Sequence, residues 1–238
     1  MEEKQKSSSL KPEKKKGVEA LIGPIAALLG FICLMQWLLY GTLRGGLDPI
    51  FSQNQPPLVM KGGDPYIRAL MRTISASEAN SKRPYSLLYG GKHVEDLSRH
   101  PEVCVTIVHG PNKGNCSTAA GRYQVINKTW YRIAQKYHPN PSRVVFWSSY
   151  NFDAQSQDAV VYRWLSDPTA WGVDISQLLK QGRVNQVLKL LSPTWTSLGY
   201  GIETNSMTGY LPQIYQRVLH EELQGMTTPS STSSPKPR

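Results

Sequence analysis

Residues 64–78 read DPYIRALMRTISASE, and the first helix of the fold is predicted from them. Asp64 followed by Pro65 is typical of a helix start, because aspartate accepts hydrogen bonds from free N–H groups and proline tolerates the first helical position. Apolar residues then recur along one helix face, at Ile67, Leu70, Met71 and Ile74. Glu78 falls four positions after Ile74. The stretch therefore predicts an amphipathic helix with a carboxylate on its apolar face, near its C-terminal end.

Glu78 is the candidate catalytic residue. On that face the carboxylate is partly desolvated, and the helix C-terminus disfavours an anion, so both effects favour the protonated form. A proton-donating carboxyl group is what cleavage of a glycosidic bond requires. The alternative is that Glu78 turns into solvent at a frayed helix end, as most glutamates do.

The rest of the chain indicates a mostly helical domain. Four more apolar periodicities predict helices, around residues 130–137, 154–165, 184–191 and 211–219. Asn127 and Asp153 are the expected N-caps of the first two of these. The clear strand signal is Val103 to Val108, followed by a turn-rich stretch to Gly114. The predicted class is α+β, a helical domain with a small β-hairpin lobe.

The segment Ser117 to Gln124, STAAGRYQ, is the candidate substrate-binding site. Small residues there permit a tight backbone, and Tyr123 and Gln124 then offer a ring and an amide. Sugars are often held by flat apolar faces together with amide hydrogen bonds. The alternative is a plain loop that leads into the next helix.

Two cysteines outside the N-terminal apolar stretch, Cys104 and Cys116, are separated by 11 residues. In an exported domain they can form a disulfide across the predicted hairpin. Two buried free thiols, or a zinc site that uses His109, are the alternatives, but no fourth zinc ligand is evident. No cofactor motif and no metal motif is recognised.

Ala20 to Leu43 is a run of 24 residues without a charge. A bilayer core needs ~20 apolar residues in a helix, whereas the apolar region of a signal peptide has ~7–15. The run ends near Trp37 and Tyr40, which suit a membrane interface. A retained single transmembrane helix is therefore predicted, with a cleaved signal peptide as the alternative.

Six lysines precede this run, and only Arg44 follows it before Lys61. The positive-inside rule then places the N-terminus in the cytoplasm and the rest of the chain outside the inner membrane. The expected organisation is a cytoplasmic basic tail (1–19), a transmembrane helix (20–43), a Gly/Pro-rich linker (44–63), a catalytic domain (64–226) and a disordered tail (227–238).

Several motifs, taken together in order, resemble the lambda-type endolysin family. They are Glu78 after an amphipathic helix, Gly90-Gly91, Asp96-x-Ser98-x-His100-Pro101, Gly121-Arg122-Tyr123-Gln124 and Ser156-Gln157-Asp158-Ala159. The resemblance covers residues 64 to 223, most of the predicted exported part. The family is not known for a membrane anchor or for the cysteine pair, and Ile202-Glu203 stands where a polar residue is expected.

The resemblance implies a lysozyme-like fold and cleavage of the β-1,4 bond between N-acetylmuramic acid and N-acetylglucosamine in peptidoglycan. It implies that Glu78 is the catalytic acid and that the segment Gly121, Arg122, Tyr123 and Gln124 lines the cleft. Within this segment we expect Tyr123 and Gln124 to hold the sugars and Arg122 to brace the loop, and Ser117 is a further candidate binding residue. It also implies a lytic transglycosylase, which forms 1,6-anhydromuramic ends without a second carboxylate. A hydrolytic lysozyme needs such a partner, for which Asp96, Asp153 and Asp158 are candidates by type only.

The competing function is a non-catalytic, membrane-anchored peptidoglycan-binding protein. The chain carries 27 Lys and Arg against 17 Asp and Glu, a net charge of +10, which suits an anionic polymer without saying which one. The predicted topology argues against nucleic acid as that polymer. A monomer is expected.

Overall fold

The computed structural model describes residues 56–110, 112–144, 147–201 and 203–227. The predicted basic tail, the transmembrane helix, most of the linker and all but the first residue of the C-terminal tail lie outside these residues. Within the described ranges, none of the helices is both long and apolar enough to cross a bilayer.

The first helix, α1, spans Pro65–Glu78, as the sequence predicts. Asp64 is its N-cap, because the Asp64 side chain accepts a 2.8 Å hydrogen bond from the Tyr66 backbone N–H. Ile67, Leu70 and Ile74 are fully buried. The helix therefore runs through the core, and its last residue, Glu78, lies at the boundary between core and solvent.

The described residues contain six more α-helices. They are α2 Asn127–Tyr137, α3 Ala154–Leu165, α4 Pro168–Trp171, α5 Ile175–Lys180, α6 Val184–Leu191 and α7 Leu211–Thr227. Asp153 caps α3, as predicted, by accepting a hydrogen bond from the Ser156 N–H. The prediction for Asn127 was wrong, since Ile126 holds the cap position and makes no side-chain bond. The sequence analysis also missed α4 and α5, which are too short to show an apolar period.

Helix α7 packs extensively against α1. Arg68 Nε lies 2.5 Å from Glu222 Oε2, and Arg72 pairs with both Glu221 and Glu222. The last helix therefore braces the helix that carries Glu78.

Two small antiparallel hairpins accompany the helices. In the first, β1 Val105–Thr106 pairs with β2 Cys116–Ser117, with Val105 opposite Ser117. The predicted strand from 103 to 108 is thus only two residues long. In the second, which the sequence did not indicate, β3 Ser142–Val144 pairs with β4 Trp147–Ser149.

The chain entering the domain already packs on it six residues before the predicted boundary at residue 64. Leu58 and Met60 are buried. The backbone N–H groups of Val59 and Met60 donate to Asp158 Oδ2 at 2.7 and 3.2 Å. The buried Asp158 carboxylate needs hydrogen-bond donors, and the backbone of this segment supplies two of them. The Gly/Pro-rich composition of the segment does not reveal this contact.

Candidate active site

Glu78 lies in a cleft of about 560 Å³. It is the last residue of α1, and its side chain is partly buried. The alternative of a side chain turned freely into solvent is therefore not what the structure shows.

The pKa of the Glu78 carboxyl is raised from 4.5 to about 7, and burial is the largest cause. The hydrogen bond from Ser197 acts against this increase, and the negative charge of Glu203 adds to it. A carboxylic acid that keeps its proton near neutral pH can donate it to a leaving group.

A short turn of 3₁₀ helix, Thr196–Leu198, holds the Glu78 side chain. The Ser197 hydroxyl donates a hydrogen bond to Glu78 Oε1. Ser77 Oγ lies 2.8 Å from Ser197 Oγ, and the Asn205 side-chain amide donates to the Ser77 carbonyl at 2.8 Å. The carboxyl group is thus fixed by hydroxyls that are themselves held, which limits its rotation.

Ser117 and Gln124 line the same cleft as Glu78, as predicted. The Gln124 amide nitrogen donates to the carbonyls of Leu87 at 3.1 Å and Gly121 at 2.9 Å, so the local backbone holds the side chain in place. Two predicted binding residues therefore share the cleft with the candidate acid.

Tyr123 and Gly121 do not line the cleft, and for Tyr123 the prediction of a sugar contact was wrong. The Tyr123 ring is only 1% exposed, and its hydroxyl donates to Asp158 Oδ1 at 2.7 Å. Gly121 has φ +74°, and a Cβ there would lie 2.7 Å from Phe152 Cζ. Both residues support the cleft wall from the protein interior. The loop places the Tyr123 ring in the core, and Gly121 lies where there is no room for a side chain.

Arg122 braces the loop, as expected. It is fully buried, and its guanidinium donates to the carbonyls of Pro56 at 2.5 Å and Pro57 at 3.1 Å and to the Tyr85 hydroxyl at 2.9 Å. The loop behind the cleft is therefore tied to the chain that enters the domain.

The first hairpin supplies part of the cleft lining, including Ile107, His109 and Asn112. Cys104 and Cys116 form a disulfide across it, with the two Cα atoms 5.4 Å apart. The prediction of a disulfide is confirmed. The described residues contain no cluster of side chains suited to hold a metal ion. His109 lines the cleft.

The sequence analysis missed Thr196, Ser197 and Glu203 as cleft residues. The one indication in the sequence was that Ile202-Glu203 stands where the family pattern has a polar residue. They lie about 120 residues after Glu78 along the chain, and one sequence alone carries no mark of that proximity.

Of the carboxylates considered as second groups, Asp96, Asp153 and Asp158 are all absent from the cleft lining. Asp158 is buried with four donors, Asp153 caps α3, and Asp96 accepts from the Ser98 N–H. The carboxylate that does share the cleft with Glu78 is Glu203.

The structure is thus a helical domain whose cleft holds a partly buried acid. The family model described as Endolysin matches residues 68–220, and the chain belongs to this family. The resemblance to lambda-type endolysins is confirmed.

An endolysin of Escherichia phage lambda is 28% identical over 120 residues, 49% of this chain and 64% of that protein. Two solved structures are also similar. Bacteriophage lambda lysozyme complexed with a chitohexasaccharide is 24% identical, with 67% of this chain and 97% of that chain covered and a TM-score of 0.49. Lysozyme from bacteriophage lambda is 20% identical, with 68% and 97% covered and a TM-score of 0.46.

Proposed function

We propose that this chain is a glycosidase that cleaves the β-1,4 bond between N-acetylmuramic acid and N-acetylglucosamine in peptidoglycan. The observation that carries the proposal is the Glu78 carboxyl, which lies in the main cleft with a pKa raised to about 7. An acid of this kind retains its proton near neutral pH and can protonate a departing glycosidic oxygen.

The proposed reaction is that of a lytic transglycosylase. Glu78 gives its proton to the glycosidic oxygen as the bond to C1 of the muramic acid breaks. The C6 hydroxyl oxygen of the same sugar bonds to C1, and its proton passes to the Glu78 carboxylate. One sugar chain leaves with a free hydroxyl, the other ends in 1,6-anhydromuramic acid, and the enzyme is restored without water.

The assignment as a lytic transglycosylase rests on the family resemblance. Hydrolysis is the second candidate reaction. A hydrolytic lysozyme uses a second carboxylate as nucleophile or base, and Glu203 shares the cleft with Glu78. The two reactions differ in their products, because hydrolysis leaves a reducing muramic acid end.

A non-catalytic peptidoglycan-binding role is less well supported. Binding alone needs no partly buried acid, and burial of an ionisable carboxyl group costs stability.

We further propose that a single transmembrane helix over residues 20–43 anchors the enzyme in the bacterial inner membrane, with the catalytic domain on the periplasmic side. The uncharged run and the six preceding lysines support this arrangement. The disulfide is consistent with it, since disulfides persist in oxidising compartments.

The activity is tested with purified full-length chain, isolated cell-wall sacculi and mass spectrometry of the released fragments. Anhydromuramic ends are expected. Glu78→Gln keeps the shape of the side chain but cannot donate the proton, so the rate should fall at least ~10²-fold. Glu95→Gln, at an exposed position away from the cleft, is the matched control.

The possible outcomes distinguish the transglycosylase, the hydrolase and the binding protein. Reducing muramic ends would reject the transglycosylase in favour of hydrolysis. An undiminished rate in a folded Glu78→Gln variant would reject Glu78 as the acid, and sacculi that bind the protein without being cleaved would favour the binding role.

The topology is tested by adding protease to intact spheroplasts. The domain should be removed while the N-terminal tail stays protected. Full protection until the cells are lysed would overturn the proposed location.

A further inference from the structure

Glu203 is a carboxylate of the cleft to which neither the resemblance nor the proposed reaction gives a role. Its side chain is exposed, and its Oε2 accepts a 2.8 Å hydrogen bond from Thr196 Oγ1. It lines the cleft that also holds Glu78. The residue is therefore attached to the active-site wall, although it does not belong to the motifs of the family.

One turn holds both carboxylates. Thr196 and Ser197 are consecutive residues of the Thr196–Leu198 turn; the Thr196 hydroxyl bonds Glu203, and the Ser197 hydroxyl bonds Glu78. Because neighbouring residues of one short turn carry the two hydroxyls, the turn sets the position of one acid relative to the other.

The turn is itself fixed. Thr208 Oγ1 donates to the Ser197 carbonyl at 2.9 Å. Gly199 follows the turn with φ +95°, and a Cβ there would lie 2.6 Å from Thr208 Cγ2. The segment that carries Glu203 thus folds back tightly onto the turn, which keeps Glu203 at the cleft.

We propose that Glu203 is a positioning residue of the active site, whose negative charge acts through Glu78 and holds the Glu78 carboxyl in its protonated form around neutral pH. The effect of Glu203 on catalysis rests on the proposed function, whereas its electrostatic effect on Glu78 does not. Glu203 is not a proton donor or nucleophile in this role.

The charges around Glu78 are consistent with this assignment. Burial is the main reason for its raised pKa, and the charge of Glu203 adds to it. His109, on the first hairpin, and Tyr89 are the other titratable side chains among the described residues that line the cleft. Glu203 is therefore the anionic group there that can oppose ionisation of Glu78 at neutral pH.

The charge matters because a general acid works best when its pKa lies close to the working pH. Burial and the negative charge of Glu203 act in the same direction on the pKa of Glu78, and both act in the open cleft before substrate binds.

The direct test is a ¹³C NMR titration of the Glu78 carboxyl carbon in the full-length chain, assigned by its loss in Glu78→Gln. Glu203→Gln should lower the pKa of Glu78 by roughly 0.5–1 at low salt, and Glu203→Lys should lower it further because the sign of the charge reverses. Glu95→Gln changes the net charge equally and should leave the pKa of Glu78 in place. Added salt should shrink the difference, since the cleft is open to solvent.

The pH profile of sacculus cleavage is the second readout. The basic limb of the profile should move to lower pH in Glu203→Gln by the same amount as the pKa of Glu78. An unchanged pKa of Glu78 in both Glu203 variants would overturn the proposal. A rate lost at every pH, at unchanged Glu78 pKa, would overturn it in favour of direct participation of Glu203.

The NMR result does not depend on the reaction. If the wild-type chain releases no fragments from sacculi but the pKa of Glu78 still responds to Glu203, the proposed function fails and the coupling of the two carboxylates stands. If fragments are released and the pKa does not respond, the coupling fails and the proposed function stands.

Discussion

The buried acid should cost the protein stability at the pH where the acid is ionised, and Glu78→Gln should recover that cost. In the unfolded chain Glu78 titrates near 4.5, whereas the pKa in the folded chain is about 7. Between these values the folded state holds a proton that the unfolded state has lost. Stability therefore falls as the pH rises through this window, and it is constant above it with respect to this group.

The magnitude follows from the two pKa values. A tenfold change in an acid constant corresponds to about 1.4 kcal/mol, so the full effect is about 3 kcal/mol. Solvent that reaches the partly exposed side chain reduces it, and roughly 2–3 kcal/mol is expected. Glutamine has the same shape and no charge to desolvate, so the variant should match the wild type near pH 4 and exceed it at pH 8.

The assay is urea unfolding of the purified full-length chain, followed by tryptophan fluorescence, at several pH values between 4 and 8. The relevant quantity is the difference in the free energy of unfolding between Glu78→Gln and the wild type, because the titration of other groups cancels in it. Glu95→Gln, at an exposed position outside the cleft, is the matched control for the loss of one carboxylate. A difference for Glu78→Gln that is flat across this range would refute the reasoning, because the Glu78 carboxyl would then titrate alike in both states.

The remaining predictions concern the scaffold behind the cleft. Asp158→Asn should lower the free energy of unfolding by ~2–4 kcal/mol, because a buried carboxylate with four donors loses acceptor capacity, while Asp96→Asn at an exposed turn should leave the urea midpoint almost unchanged. Replacing both disulfide cysteines by serine should cost roughly 3 kcal/mol in the loop-entropy model, and an unchanged melting temperature after reduction would contradict this. Gly121→Ala should destabilise by more than Gly91→Ala in thermal melts, because both positions have positive φ but only the first has no room for a Cβ.

Features that depend on neighbours along the chain could be predicted from the sequence. The start of α1 at Asp64 and Pro65 was visible, because an N-cap satisfies N–H groups two or three residues away. The position of Glu78 on the apolar face was visible for the same reason, since the helical period fixes which residues share a face. The two cysteines could be paired because few residues separate them across a hairpin.

Features that depend on distant parts of the chain were decided only by the tertiary structure. Tyr123 reads as a cleft aromatic in the sequence, yet the fold turns it into the core, where its hydroxyl donates a hydrogen bond to the buried Asp158. Residues 56–60 read as linker, yet the same carboxylate and Arg122 bind their backbone groups. A buried charge must find partners wherever packing supplies them, and local sequence does not say where that is.

The residues of the candidate site also fall into those predicted from local sequence and those placed by tertiary packing. Glu78 could be identified because burial on a helix face is a local property, and burial is the main cause of its raised pKa. Ser197 and Glu203 could not, because their places beside it depend on how a later turn packs against the end of α1. The sequence by itself predicted Glu78 as the candidate acid, because its place on the apolar helix face is a local property. The packing of that turn decided which groups surround the Glu78 carboxyl, because contacts between distant parts of the chain depend on the tertiary structure.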